Sequence, residues 1–300
     1  MTISCKSIFP ANIRTVAVTA PAGLPDREKL RSALRYLKAC NVNVVDYIAD
    51  KGSEELSYLA ASAEHRAASF NQAINDPSVD MILCARGGFG CVHILDRIDF
   101  GALQQRQLPV MGYSDISALH CAMLKNSAGI AIAGSNLIGI EQAAQDTLSL
   151  TTHRTALDRQ QQKTNLAPST LKQLRPVLPG ATPAVNARAY AGNLSVLTSL
   201  CGTEFMPDFR GMILILEDVN EAVYKLDRML TQLLHNGIFD QLQMLIFGDF
   251  SGADARELDI LQKRLASQLA IPCLKNFPFG HRFPMNAVNS ALLLEIPEVE

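Results

Sequence analysis

The sequence predicts an α/β fold in which a parallel-sheet domain is followed by a smaller, mixed α/β domain. Three observations carry this. Short β-branched runs alternate with amphipathic stretches through residues 14–133, the pattern of successive βα units. The runs are apolar nearly throughout, as in VDMILCA at residues 79–85, which suits strands covered on both faces. The periodicity then lapses over residues 141–179, where Gln, Thr and Pro accumulate, before apolar strands resume. A chain of 300 residues, at roughly 150 per domain, accommodates two domains; the division falls at residues 1–165 and 166–300.

In order, residues 14–20 (RTVAVTA) read as a strand and 26–40 as a helix with Leu30, Ala33, Leu34 and Leu37 on one face. Residues 42–48 follow as a strand and 54–75 as an alanine-rich helix entered through Ser53, a residue type that caps helices well. The strand at 79–85 leads into a glycine-rich turn and a helical run at 92–98. Residues 108–113 and 129–133 complete the strands of this half, separated by a helix at 115–125. In the second half, 183–190 is extended and 192–200 starts a helix. GMILILE at 211–217 is a buried strand, and 219–234 an amphipathic helix. Then come a strand at 244–250, a helix at 255–269 and short strands at 271–275 and 291–296.

Composition narrows the function. Lys and Arg number 27 against 29 Asp and Glu, a net charge of -2, leaving no basic excess for nucleic acid. The apolar runs fall short of the roughly 18 residues of a membrane span. The amino terminus lacks the charged and apolar regions of a signal peptide, so a cytoplasmic location is expected. The seven cysteines form no CxxC pair, which suits reduced, buried thiols. The six histidines never stand three to five apart, so no local zinc motif exists, and neither metal nor organic cofactor is expected.

Four segments carry candidate chemistry. Gly112-Tyr113-Ser114-Asp115 lies where a strand ends and a helix begins, which puts Ser114 on a sharp turn at the carboxyl edge of the sheet. The following helix would aim N–H groups at an oxyanion, although an isolated GxS serine often only caps a helix. Arg86-Gly87-Gly88-Phe89-Gly90 occupies the equivalent turn one strand earlier and can cradle a phosphate or supply an oxyanion N–H. It matches neither GxGxxG nor a P-loop, and a plain tight turn explains it equally well. Glu217 closes the strand GMILILE, where a carboxylate can orient a histidine; its neighbours Asp218, Asn220 and Glu221 suit a helix start. His281 sits in a Gly/Pro loop, an ordinary setting for a surface histidine. His120 reads as packed, His65 and His235 as surface residues, and His93 as a neighbour of the glycine loop without a partner.

Ala85 to Gly90, Gly112 to Asp115, Tyr190-Ala191-Gly192-Asn193-Leu194, Leu216 to Glu221 and Phe279-Gly280-His281 together resemble, in order and spacing, the motifs of the LD-carboxypeptidases, the muramoyltetrapeptide carboxypeptidases of murein recycling. The resemblance implies a flavodoxin-like amino-terminal domain, a smaller carboxy-terminal domain and a site between them. It makes Ser114 the nucleophile, His281 the base and later acid, and Glu217 its orienting partner. The N–H groups of Gly88 and Asp115 would form the oxyanion hole. The implied substrate is the murein tetrapeptide, cut at an L,D bond to release D-alanine, and the implied assembly is a homodimer. Arg86 is a candidate for the substrate's terminal carboxylate, with a structural ion pair as the plain alternative.

One stretch departs from the family. After the histidine this chain reads Met285-Asn286-Ala287-Val288-Asn289 in place of a Leu-Pro-Leu-Gly-like strand entry. The resemblance extends to microcin self-immunity peptidases acting on peptide-nucleotide conjugates, which rank second because the chain has no Trp to serve as a nucleobase platform. A non-catalytic small-ligand-binding protein is the remaining alternative.

Overall fold

A computed structural model describes residues 6–48 and 56–300. The first sheet is built from β1 (Thr15–Thr19), β2 (Asn43–Asp46), β3 (Met81–Cys84), β4 (Pro109–Gly112) and β5 (Ile130–Ala133). Their spatial order is β2-β1-β3-β4-β5, all parallel, the flavodoxin-like order. The helices between them are α1 (Arg27–Ala39), α2 (Ala63–Asn75), α3 (Phe100–Arg106) and α4 (Ile116–Lys125). The strand faces alternate as a doubly covered sheet requires. Val16, Val18, Met81 and Leu83 join one core with Leu37 of α1. Ala17, Ile82 and Cys84 join another with Phe70 of α2 and Leu119 of α4.

The chain then adds α5 (Ile140–Gln145), α6 (Thr147–Leu157), β6 (Lys163–Asn165), α7 (Pro168–Leu171), β7 (Arg175–Pro176), β8 (Val185–Asn193), α8 (Leu194–Ser199), β9 (Ile213–Val219), α9 (Val223–His235), β10 (Met244–Ser251), α10 (Ala255–Ala266), β11 (Cys273–Lys275), β12 (Val288–Asn289) and β13 (Leu293–Ile296). The second sheet runs β6-β13-β8-β9-β10-β11-β7. Its central strands β8, β9, β10 and β11 are parallel. In β9, Ile213 and Ile215 face one core while Leu214 and Leu216 face the core shared with the first sheet. The short β12 returns to the first sheet and pairs antiparallel with β5.

Several expectations need correction. The helix expected over 54–75 starts only at Ala63, where the Ser62 hydroxyl caps it by accepting the His65 N–H at 3.3 Å; the expected start at Ser53 and Glu54 lies outside the described residues. The run at 92–98 is two 3-10 turns, Cys91–His93 and Leu95–Arg97. The region of lapsed periodicity holds α5 and α6, whose buried faces include Ala143, Ala144, Ser149, Thr152, His153 and Ala156. Small and polar residues on the buried face erase the hydropathy contrast that marks a helix. The short α3, capped by Asp99, was not foreseen. Cys84, Cys91, Cys121, Cys201 and Cys273 are free thiols, whereas Cys40 is disulfide-bonded. Among the described residues no helix is long and apolar enough to cross a membrane.

Candidate active site

The carboxyl ends of β3 and β4 open on a cavity of about 700 Å³ whose lining includes Arg86, Gly88, Ser114, Asn136, His281 and Arg282. Four of the residues singled out from sequence therefore face one space. Ser114 takes a left-handed backbone, φ 65°, at the tight turn between β4 and α4. Such a conformation is rare for a residue with a side chain and lifts the serine out of the strand-to-helix connection. The Asn136 side chain braces this turn, its Oδ1 accepting the Tyr113 N–H at 3.2 Å.

Glu217 lies within β9 rather than at its end, paired in register with Asn193 of β8. It is fully buried. Its Oε2 meets Nδ1 of His281 at 2.8 Å, and its Oε1 accepts the Asn193 Nδ2–H at 3.1 Å. With both oxygens engaged, the carboxylate cannot swing away. The histidine side chain keeps 22% of its surface exposed, against 0% for the glutamate, so the pair has a dry end and a wet end. Burial alone would lower the His281 pKa. The hydrogen bond and charge of Glu217, reinforced by Asp218 and Asp249, outweigh burial and raise it above 6.5. Tyr113 packs edge-on against the imidazole at 5.1 Å between ring centroids.

Local backbone explains why the histidine loop reaches β9. The register of β10 against β9 shifts between Phe247 and Phe250, and Gly248 sits in that irregularity. A methyl group there would lie 2.6 Å from the Phe279 carbonyl oxygen, so only glycine admits the 279–281 loop this close. Beyond the histidine, the departing segment is held by buried bonds. The Met285 N–H donates to Ser149 Oγ at 2.9 Å and the Ala287 N–H to Thr152 Oγ1 at 3.1 Å, while Asn289 Nδ2 donates to the Ala156 carbonyl at 2.7 Å. Serine and threonine on α6 thus anchor the strand entry.

The other candidates separate. The Asp115 carboxylate points out of the cavity and accepts the Cys91 N–H at 2.8 Å, which leaves only its backbone to face Ser114's side of the turn. Arg86 forms no ion pair among the described residues; its Nη1 donates to the Leu24 carbonyl at 2.9 Å. His120 is packed as expected, its Nε2 donating to the Val110 carbonyl at 3.1 Å, and burial holds its pKa down at about 4. His65 bonds the Ser62 hydroxyl, and His93 packs on Phe89. Asn193 went unassigned in the sequence, although an Asn directly before a helix is a strong N-cap signal: its Oδ1 caps α8 through the Val196 N–H. Its own N–H donates to Ser117 Oγ of α4 at 3.0 Å, tying the helix behind Ser114 to the strand pair behind Glu217. Lys29, Gln142 and Phe283, which also line the cavity, carried no sequence signal. Among the described residues no group of three or more His, Cys, Asp or Glu is disposed to hold a metal ion.

Two parallel-dominated sheets bring a buried acid–histidine pair to the edge of one cavity, and the family models that match the chain make the class a peptidase. The chain belongs to the LD-carboxypeptidase family: residues 16–134 match the family's N-terminal domain and residues 186–294 its C-terminal domain. It is 32% identical over 298 residues to the probable murein peptide carboxypeptidase of Bacillus subtilis, covering 94% of this chain and 91% of the relative. It is 31% identical over 280 residues to the murein tetrapeptide carboxypeptidase of Pseudomonas aeruginosa, covering 89% and 87%. The muramoyltetrapeptide carboxypeptidase of Oxalobacter formigenes shares the fold with a TM-score of 0.74 at 24% identity, over 92% of each chain. The microcin C7 self-immunity protein bound to glutamyl sulfamoyl guanosine shares it at 0.82 and 20%, over 96% and 94%.

Proposed function

We propose that this chain is a serine L,D-carboxypeptidase that removes the terminal D-alanine from murein tetrapeptides in cytoplasmic peptidoglycan recycling. The observation that carries the reading is the 2.8 Å contact between His281 Nδ1 and the buried Glu217, on a histidine that lines one cavity with Ser114. A carboxylate bound at Nδ1 selects the tautomer whose Nε2 accepts a proton. Ser114 Oγ attacks the carbonyl before D-alanine and its proton passes to His281 Nε2. The Gly88 and Asp115 N–H groups stabilise the oxyanion. His281 then returns the proton to the departing amine of D-alanine, leaving an acyl-enzyme on Ser114 that water hydrolyses by the same base.

Cavity composition favours an anionic substrate: Lys29, Arg86 and Arg282 line it, and among the described residues no acidic one does. Arg86 is our candidate for the terminal carboxylate, and the working assembly is a homodimer. A second reading, a self-immunity peptidase acting on peptide-nucleotide conjugates, draws on the structural likeness to the microcin C7 protein. Mass spectrometry separates them. The chain is expected to release one alanine from murein tetrapeptide in the presence of EDTA and to leave the C-terminally amidated peptide whole. An intact tetrapeptide beside a hydrolysed aminoacyl sulfamoyl nucleoside would reverse the ranking, and no hydrolysis of either would favour a binding protein.

Gly87 offers a finer test of the turn. An added methyl would lie 2.7 Å from Ser114 Cβ and 2.9 Å from its Oγ, so the nucleophile itself has to move. Gly87→Ala is expected to lower kcat by about 10²-fold, the scale of a ~1 Å misplacement, with little change in melting temperature. Wild-type turnover in this variant would mean that the clash relaxes elsewhere.

A further inference from the structure

Arg66 of α2 is 2% exposed, the largest of the fully buried side chains, and no carboxylate pairs with it directly among the described residues. A buried guanidinium is costly unless its hydrogens find acceptors, and here those of Nε and Nη1 do, while Nη2 is buried with no partner among the described residues. Its Nε donates to the Ala61 carbonyl at 2.9 Å, and its Nη1 donates to the carbonyls of Pro21, at 2.5 Å, and Gly90, at 2.8 Å. The Gly90 carbonyl and the Cys91 N–H are the two ends of one peptide group. The N–H end donates to Asp115 Oδ2 at 2.8 Å, and Asp115 is itself 2% exposed. A single peptide at the end of the glycine loop therefore lies between a buried cation and a buried anion. Its dipole is aligned with both, and in a dry interior such charge-assisted bonds are strong.

We propose that Arg66 and the Asp115 carboxylate, acting through the Gly90–Cys91 peptide, are positioning residues that set the separation of the Gly88 and Asp115 N–H groups. This rests on the reading of those two groups as the oxyanion hole. Gly88 lies two residues before the clamped peptide, and Asp115 supplies both the clamp and the second donor. The clamp thereby couples two βα turns that share no strand or helix. It also accounts for two charges that neither contact the cavity nor face solvent.

The test compares Arg66→Met, Arg66→Lys and Leu37→Ala in the full chain. Leu37 is buried against the opposite face of the first sheet and has no tie to the loop, so its truncation controls for destabilisation. Two rates are read: turnover of murein tetrapeptide, and labelling of Ser114 by a fluorophosphonate, which needs no natural substrate. Arg66→Met is expected to slow both by about 10²-fold with KM within a few-fold, the pattern of a lost transition-state contact. Arg66→Lys, which keeps the cation but reaches fewer carbonyls, should recover about tenfold. Leu37→Ala should keep wild-type rates per folded molecule. Wild-type rates in Arg66→Met, or an equal loss in Leu37→Ala, would overturn the proposal. If Arg66→Met fails to fold, Arg66→Lys decides, and labelling at the wild-type rate sinks it. A wild type that labels but spares the tetrapeptide refutes the substrate reading and leaves the clamp judged by labelling; one that does neither refutes both.

Discussion

Ser114→Ala is expected to lower kcat on murein tetrapeptide by about 10⁴ to 10⁶-fold, the range seen when a serine nucleophile is removed from an intact triad. The residual rate should come from substrate binding and the backbone donors alone. The side chain makes no hydrogen bond that supports the fold among the described residues, and its left-handed backbone, φ 65°, is at least as tolerable for alanine's small side chain as for serine's. Melting temperature should therefore hardly move. Stopped-assay mass spectrometry with enzyme in large excess measures the residual rate. Turnover within tenfold of wild type would exclude Ser114 as the nucleophile and assign the chemistry to another group.

Glu217→Gln is expected to cost about 10⁴-fold in kcat, and the reason is a conflict between hydrogen-bond donors. Glu217 accepts from His281 on one oxygen and from Asn193 Nδ2 on the other. An amide has only one accepting end. If its NH₂ faces Asn193, two donors meet in a fully buried site. If it faces His281, the imidazole must present Nδ1 as acceptor and carry its proton on Nε2, where it cannot take the proton of Ser114.

The pH profile supplies a second readout of the same variant. In the wild type, burial lowers the His281 pKa but Glu217 and its acidic neighbours raise it further, to a net position above 6.5. The base works only when neutral, so activity is lost as pH falls through that raised pKa, and the acid limb of kcat/KM lies above pH 6.5. With the Glu217 charge removed, burial prevails and the limb should move to lower pH. A limb that stays in place would show that another group titrates there.

The five parallel strands of the first sheet and the helices α1 and α4 were legible along the chain because their information is local. Apolar runs such as residues 79–85 and the cap at Asp26, whose Oδ1 accepts the Glu28 and Lys29 N–H groups, mark their own boundaries. The helices α5 and α6 were not, since Ala, Ser, Thr and His dilute the buried Ile140, Leu148 and Leu157 on their inner faces, and these become a core only when β12 and the first sheet cover them. Ser114, Glu217 and His281 were nameable from their strand-end and loop settings and from the resemblance of the surrounding motifs. Arg66 was invisible, because an arginine on an alanine-rich helix reads as solvated until three loop carbonyls are seen to converge on it.

What a residue does within reach of its neighbours was thus written in the chain, whereas which distant residues meet was not. His281 stands 64 positions from Glu217, and no periodicity encodes that distance. Their contact depends on the register of β8 and β9, on the irregularity in β10 at Gly248 and on the bonds from α6 that seat residues 285–289. Each is a product of close packing between elements far apart in sequence, and that packing gives the histidine its orientation and its raised pKa.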